Sequence, residues 1–264
     1  MAKNLVPFLL LTALVVGIFA FYKYQQINNQ KQPESGSPTS QSTPPPKPDF
    51  LIILVGDSMT QYLGNSTELR QYLKEYYPDK TLDIYNYGFG STNILSVPAR
   101  LTGWTNVDRP YQPILDIDSD IIIIESFGHN PLSQYPREEG LRKQEETLDE
   151  IVRLIRDRRP NVQIVFMTTI SPNSKTYARS AADLSPETRK EWVEERIAYI
   201  KNHAEYAKSH NIPLINVFEK SLDKTGDGNL DYIEKQNYIH PSPSGIVFIS
   251  HEIADFIYKN SLLN

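Results

Sequence analysis

Phe50-Leu51-Ile52-Ile53-Leu54-Val55-Gly56-Asp57-Ser58 is the stretch on which the fold turns. Six consecutive apolar residues running into a Gly-Asp-Ser turn describe a strand covered on both faces, as in parallel sheets layered by helices. Comparable short apolar or β-branched runs follow at 81–85, 120–125, 162–168 and 213–217. Helical patterns lie between or after most of them. Leu141, Leu148, Ile151, Val152 and Ile155 line one face of a predicted helix, and Val193, Ile197, Ile200, Ala204 and Ala207 line another. Strand and helix in alternation predict an α/β fold, a three-layer sandwich with a central parallel sheet of about five strands.

Boundary signals agree. Asn65-x-x-Glu68 reads as a helix start, Ser185-Pro186-Glu187 as an N-cap followed by proline at the first helical position, and Ser244 as the start of a last helix carrying Ile246, Ile249, Ile253, Phe256 and Ile257. The segment 96–113 reads as irregular, with Trp104 a candidate sugar contact.

Open parallel sheets bind ligands outside the carboxyl ends of their strands. Ser58 falls at such an end, as do Gly88 and Gly90 after the second run and Asn130 after the third. His240 follows much later, in His240-Pro241-Ser242 before the last helix. A hydroxyl nucleophile needs a base for its proton and donors aimed at the oxygen that becomes negative. Each role has a candidate. Asp57, next to Ser58, reads as a residue that hydrogen-bonds its own turn. His129 reads as structural or substrate-facing, and His203, His210 and His251 as surface or boundary histidines on helices.

These blocks resemble the GDSL or SGNH hydrolase family, named for a serine, a glycine, an asparagine and a histidine in separate blocks. The resemblance runs from residue 50 to the C-terminus and implies a flavodoxin-like SGNH hydrolase fold. Carried over block by block, it makes Ser58 the nucleophile, Gly90 (or Gly88) and Asn130 oxyanion donors, and His240 the general base. Three departures stand out. Asn237 occupies the place of the family's aspartate three residues before the histidine, so the working arrangement is a Ser58–His240 dyad with Asn237 a possible orienter. Pro131 replaces the acid after Asn130. The segment from Asn86 to Ser91 is about one residue shorter than the family pattern, which leaves the choice between Gly88 and Gly90 open. The α/β-hydrolase elbow fits worse, because Gly56-Asp57-Ser58-Met59-Thr60 lacks the second glycine.

The resemblance implies a serine esterase or deacylase acting through an acyl-enzyme, needing no cofactor. The substrate would be an ester-bearing molecule, with acetylated extracellular polysaccharide preferred. Acyl transfer by the same site and a catalytically silent binding module, the latter motivated by Asn237, are the alternatives.

Composition bounds the rest. The 264 residues carry a net charge of −5, which offers no basic field to a nucleic-acid backbone. The absence of cysteine excludes disulfides, thiolate metal sites and a cysteine nucleophile. No charge appears from Leu5 to Tyr22, 18 residues that end in bulky Phe19, Phe21 and Tyr22 rather than a small-x-small cleavage site. Residues 1–24 therefore read as an uncleaved single-pass membrane anchor in preference to a signal peptide, with the enzyme domain extracytoplasmic. Residues 25–48, rich in Gln, Ser and Pro, read as a disordered tether, and 49–264 as one domain. Finally, Asp223, Asp227, Gly228, Leu230, Asp231 and Glu234 match a 12-residue EF-hand loop, with Thr225 a departure at its third position, and suggest a structural calcium ion. Asn65-Ser66-Thr67 matches a glycosylation acceptor.

Overall fold

The computed structural model describes residues 47–263. The expected anchor at 1–24 and nearly all of the tether at 25–48 lie outside them. No helix among the described residues is long and apolar enough to cross a membrane.

Strand β1 (Phe50–Gly56) is buried along almost its whole length, and a short helix, α1 (Ser58–Gln61), leaves it immediately. Helix α2 (Thr67–Tyr76) leads to β2 (Leu82–Gly88), followed by α3 (Val97–Thr102) and a small hairpin of β3 (Thr105–Asn106) and β4 (Pro110–Tyr111). Strand β5 (Ile121–Glu125), helix α4 (Arg137–Arg158), strand β6 (Gln163–Met167), helix α5 (Pro186–Ser209) and strand β7 (Leu214–Ile215) complete the alternation. Helices α6 (Val217–Lys220) and α7 (Pro243–Lys259) close the chain.

The main sheet has the order β2-β1-β5-β6-β7, and every pairing in it is parallel. Its register sends alternate residues to opposite faces, as the two-residue period of a strand requires. Ile53, Val55, Ile122 and Ile124 pack with Leu148, Ile151 and Ile155 of α4 and Tyr199 of α5. Ile52, Leu54, Ile121 and Ile123 pack with Leu69 and Leu73 of α2 and Ile249, Ile253 and Ile257 of α7. Fully burying one such side chain is worth about 1.5–3 kcal/mol, so the two apolar faces dominate the energetics. The chain leaves β1 toward β2 on one side and returns to β5 on the other. That change of direction opens a crevice at the carboxyl ends of β1 and β5.

Several boundaries differ from the sequence expectation. The last helix is capped by Ser242, whose hydroxyl accepts from the Gly245 N–H, because Pro243 fits the first helical position where no N–H is needed. Helix α2 begins after Ser66, which lies in the left-handed region with φ 55° and makes no side-chain cap bond. The run at 213–217 yields only two strand residues, since Asn216 caps α6 by accepting from Glu219 N–H. The segment 96–113 is not irregular throughout: it holds α3 and the hairpin. His203 is no surface residue. It is fully buried and stacks on Phe166 at 4.5 Å between ring centroids.

Candidate active site

Ser58 is the first residue of α1, held at the mouth of β1 by Asp57, whose carboxylate accepts from Met59 N–H at 2.7 Å. This is the turn-forming role expected for Asp57. His240 sits in the loop before α7, and its Nε2 lies 2.9 Å from Ser58 Oγ across 182 positions of sequence. Its imidazole lies flat on the Tyr62 ring, with 4.1 Å between centroids and 5° between planes. The loop is closed by hydrogen bonds from Glu234 N–H to His240 C=O at 2.9 Å and from Tyr238 N–H to Glu234 C=O at 3.0 Å. Tyr238 holds a left-handed φ of 57°, a conformation of the kind a bulky residue keeps only when its surroundings fix it.

Asn237 lies against the other imidazole nitrogen. Its Oδ1 accepts from the N–H groups of Ile239 at 2.8 Å and His240 at 3.1 Å. Its Nδ2 is therefore the atom 2.9 Å from His240 Nδ1, and it also donates to Glu234 Oε1. Glu234 Oε1 accepts from Tyr62 OH at 3.4 Å and stands 3.8 Å from His240 Nδ1. Burial, reinforced by the Glu234 charge, pushes the Tyr62 phenol up to about 12.

Gly90 borders the nucleophile: a methyl group placed on it would meet Ser58 Cβ at 3.7 Å. Gly88 instead faces the α1 backbone, where a methyl group would lie 2.3 Å from Gln61 N. Of the two glycines left open by the sequence, Gly90 is the one beside Ser58. Its N–H donates to Gln61 Oε1 at 3.0 Å. Asn130 arrives from the turn after β5 and donates through Nδ2 to Asp57 Oδ2 at 2.7 Å. Both candidate oxyanion donors thus hold internal partners that a bound oxygen would replace.

Beneath this surface lies a pair of buried carboxyl groups. Glu125 Oε1 accepts from Ser126 OH at 2.8 Å and Phe127 N–H at 2.9 Å, shaping the turn that presents Asn130, while Oε2 faces Asp57 N–H at 3.4 Å. Burial and then the neighbouring Asp57 charge push Glu125 well above the ordinary carboxylate range. Asp57 is also raised by burial, against the opposing pull of the Asn130 and Met59 donors. The larger rise on Glu125 puts a proton there and leaves the charge on Asp57. Arg100, only 2% exposed, clamps the carbonyls of Gly56 and Tyr87 at 2.9 and 3.2 Å, and burial brings it down to about 10.

The GDSL-like lipase/acylhydrolase family matches residues 54–246, more than half of the chain. The chain belongs to that family. It is accordingly a hydrolase acting on ester bonds. No curated protein matches. Among solved structures, the fold is similar to a lipase/acylhydrolase from Enterococcus faecalis, with TM-score 0.56 and 16% identity over 80% of this chain and 96% of that one. A gut microbial diltiazem-metabolizing enzyme gives TM-score 0.59 and 14% identity over 82% of this chain and 48% of that one. An acetyl xylan esterase gives TM-score 0.56 and 15% identity over 78% and 98%. At these identities the likeness concerns the fold.

Set against this GDSL framework, the structure brings Ser58, Gly90, Asn130, Asn237 and His240 around one crevice. The EF-hand pattern behaves differently. Asp223 Oδ1 accepts from Thr225 and Asp227 within its own turn, Asp227 accepts from Ser174, and Glu234 turns toward His240. Among the described residues, no three His, Cys, Asp or Glu side chains are grouped to hold a metal ion. His129 is buried between Tyr177 OH and the Ile170 carbonyl at 3.2 Å each, a structural position. Sequence reasoning missed Tyr62, four residues after Ser58, and singled out Glu234 only as the last position of the calcium-loop pattern, not as a neighbour of His240. The signal available for Glu234 was its spacing six residues before His240.

Proposed function

We propose that the protein is a serine esterase in which Ser58 is the nucleophile and His240 the general base. The observation that carries this reading is the 2.9 Å approach of His240 Nε2 to Ser58 Oγ. As Ser58 Oγ attacks the ester carbonyl, Nε2 takes its proton. The tetrahedral intermediate then collapses with release of the alcohol, which leaves with that proton. Water attacks the acyl-enzyme as Nε2 takes its proton, and collapse returns that proton to Ser58 Oγ while the carboxylic acid leaves. The developing oxyanion is met by the backbone N–H groups of Ser58 and Gly90 and by the Asn130 amide, once Gln61 and Asp57 give up their claims on the latter two.

Acetylated extracellular polysaccharide is the proposed substrate. An acetyl xylan esterase among the fold neighbours and the exposed Trp104 on the segment after β2 support it. The charge-free stretch at 5–22 and the proline-rich segment after it support a tethered, extracytoplasmic placement. The test is release of p-nitrophenol and of acetate from acetylated xylan by the wild type, Ser58→Ala and His240→Ala. Turnover by the wild type that falls by at least about 10³-fold in both variants is expected. Equal rates in all three proteins would refute the assignment of Ser58 and His240.

A further inference from the structure

The family position for an acid holds Asn237, so the proton that appears on His240 during attack lacks its usual counter-charge. The amide cannot supply it. Because Asn237 Oδ1 is committed to two backbone N–H groups, the group facing His240 Nδ1 is an NH2, a donor. Turning the amide over would set its NH2 against those N–H groups and its oxygen against Glu234 Oε1, with which it now makes a donor contact. A donor aimed at Nδ1 does nothing to favour a proton there.

Glu234 Oε1 stands 3.8 Å from Nδ1, and both side chains are largely shielded, at 19% exposure for His240 and 17% for Glu234. A closing of about 1 Å brings that oxygen within hydrogen-bond reach of an Nδ1–H. The backbone already fixes the approach, since Glu234 N–H binds the His240 carbonyl directly. Other groups facing the imidazole leave this role open. Tyr62 covers one ring face with a phenol pushed up to about 12, His129 is held neutral by burial that brings it to about 3, and Asp57 lies behind Ser58 on the Nε2 side, engaged with Asn130 and Met59.

We infer that Glu234 is the carboxylate that orients His240 and stabilises its imidazolium, with the Asn237 amide holding Glu234 in place. The inference rests on the esterase reading for its effect on rate, but the charge on His240 can be read without turnover. Glu234 is a positioning residue: in the productive state the Asn237 amide N–H turns from Nδ1 to Glu234 alone, the carboxylate accepts the Nδ1–H, Nε2 keeps its lone pair for the Ser58 proton, and no proton passes to Glu234 itself. The acid has moved from three residues before the histidine to six, and the amide left behind now binds it.

The experiment follows the His240 imidazole by NMR titration in the Ser58→Ala background, alone and with Glu234→Gln. Loss of the carboxylate is expected to lower the midpoint relative to Ser58→Ala alone. In the active background, Glu234→Gln lowers kcat on p-nitrophenyl acetate at least about tenfold with KM nearly unchanged, and the acid limb of the pH profile shifts to lower pH. Adding Asn237→Asp to Glu234→Gln returns an acid to the family position and moves both midpoint and kcat back toward wild type. Tyr62→Phe keeps the ring stacked on His240 and removes only the hydroxyl that donates to Glu234 Oε1, so the midpoint moves far less than in Glu234→Gln. If Glu234→Gln does not fold, Glu234→Leu gives the same readout. An unchanged His240 midpoint in the folded variant overturns the inference, whatever the rate does. Absence of turnover in the wild type would count against the esterase reading alone.

Discussion

At the scale of single residues, the site is a set of hydrogen bonds already made and waiting to be exchanged. Asn130 is tied to Asp57 and Gly90 N–H to Gln61, so in the proposed mechanism a substrate oxygen gains each donor by displacement. Asn130→Ala is expected to lower kcat by about 10²- to 10³-fold with a smaller change in KM, the cost of one oxyanion donor. Steady-state kinetics on a short p-nitrophenyl ester would show this, and a loss confined to KM would assign Asn130 to ground-state binding instead. Glu125 offers a separate test through stability. Its folded-state pKa lies above the ordinary 4.5, so the native protein retains a proton that the unfolded chain releases as pH rises past that value. Stability from this group is therefore present below about pH 4.5 and declines above it. Glu125→Gln carries no such proton, and its melting temperature relative to wild type should climb as pH increases from 4.5 to neutrality. A difference that stays flat over that window would mean the carboxyl is ionised in the native state.

Elements matter because each candidate catalytic group is delivered by a different one, and small residues set how closely they meet. Gly128 lies in the turn between β5 and Asn130, packed on α5 so tightly that an added methyl would fall 2.1 Å from Ile200 Cγ1. Gly128→Ala should cost about 1–3 kcal/mol through overpacking, and Ile200→Ala introduced with it should recover part of that loss. Denaturant unfolding of the two variants measures both. If the two substitutions add independently, the turn and helix are not in the contact described. The elements that were legible in the sequence are those whose pattern is long and repeated: the apolar strands, and the faces of α4 and α5. Those that were not are short or capped by unusual geometry. Helix α3 has six residues and an early proline, too little for a periodic signal. Ser66 starts α2 from a left-handed backbone that no sequence pattern announces. His203 was misplaced because the buried face of α5 is wide, taking in Tyr199, His203 and Tyr206 beside the aliphatic stripe.

Over residues 47–263, the sandwich brings Ser58 and His240 together at the carboxyl ends of one parallel sheet covered by two apolar faces. Its cost is two buried histidines. Burial brings both His129 and His203 from 6.5 to about 3, so each is neutral in the native state and protonated in the unfolded chain at mildly acid pH. Stability is then complete above pH 6.5 and is lost as pH falls toward 3. His203→Leu should make that pH dependence shallower by about one proton, whatever its absolute stability, as urea unfolding across the range would record. An unaltered slope would show that His203 titrates normally in the native state. Much of the site was readable from sequence for the same reason as the sheet. Ser58 lies in the turn just past β1 and Asn130 in the turn after β5, whereas the partners of His240 depend on how the loop 234–240 folds back on itself, which composition and spacing leave open. The most direct test of the central claim is fluorophosphonate labelling read by intact and peptide mass spectrometry. The account predicts one adduct per chain, located on Ser58 and formed at least about 10²-fold more slowly in His240→Ala. An adduct on another residue, or labelling of Ser58 at the same rate without His240, would contradict it.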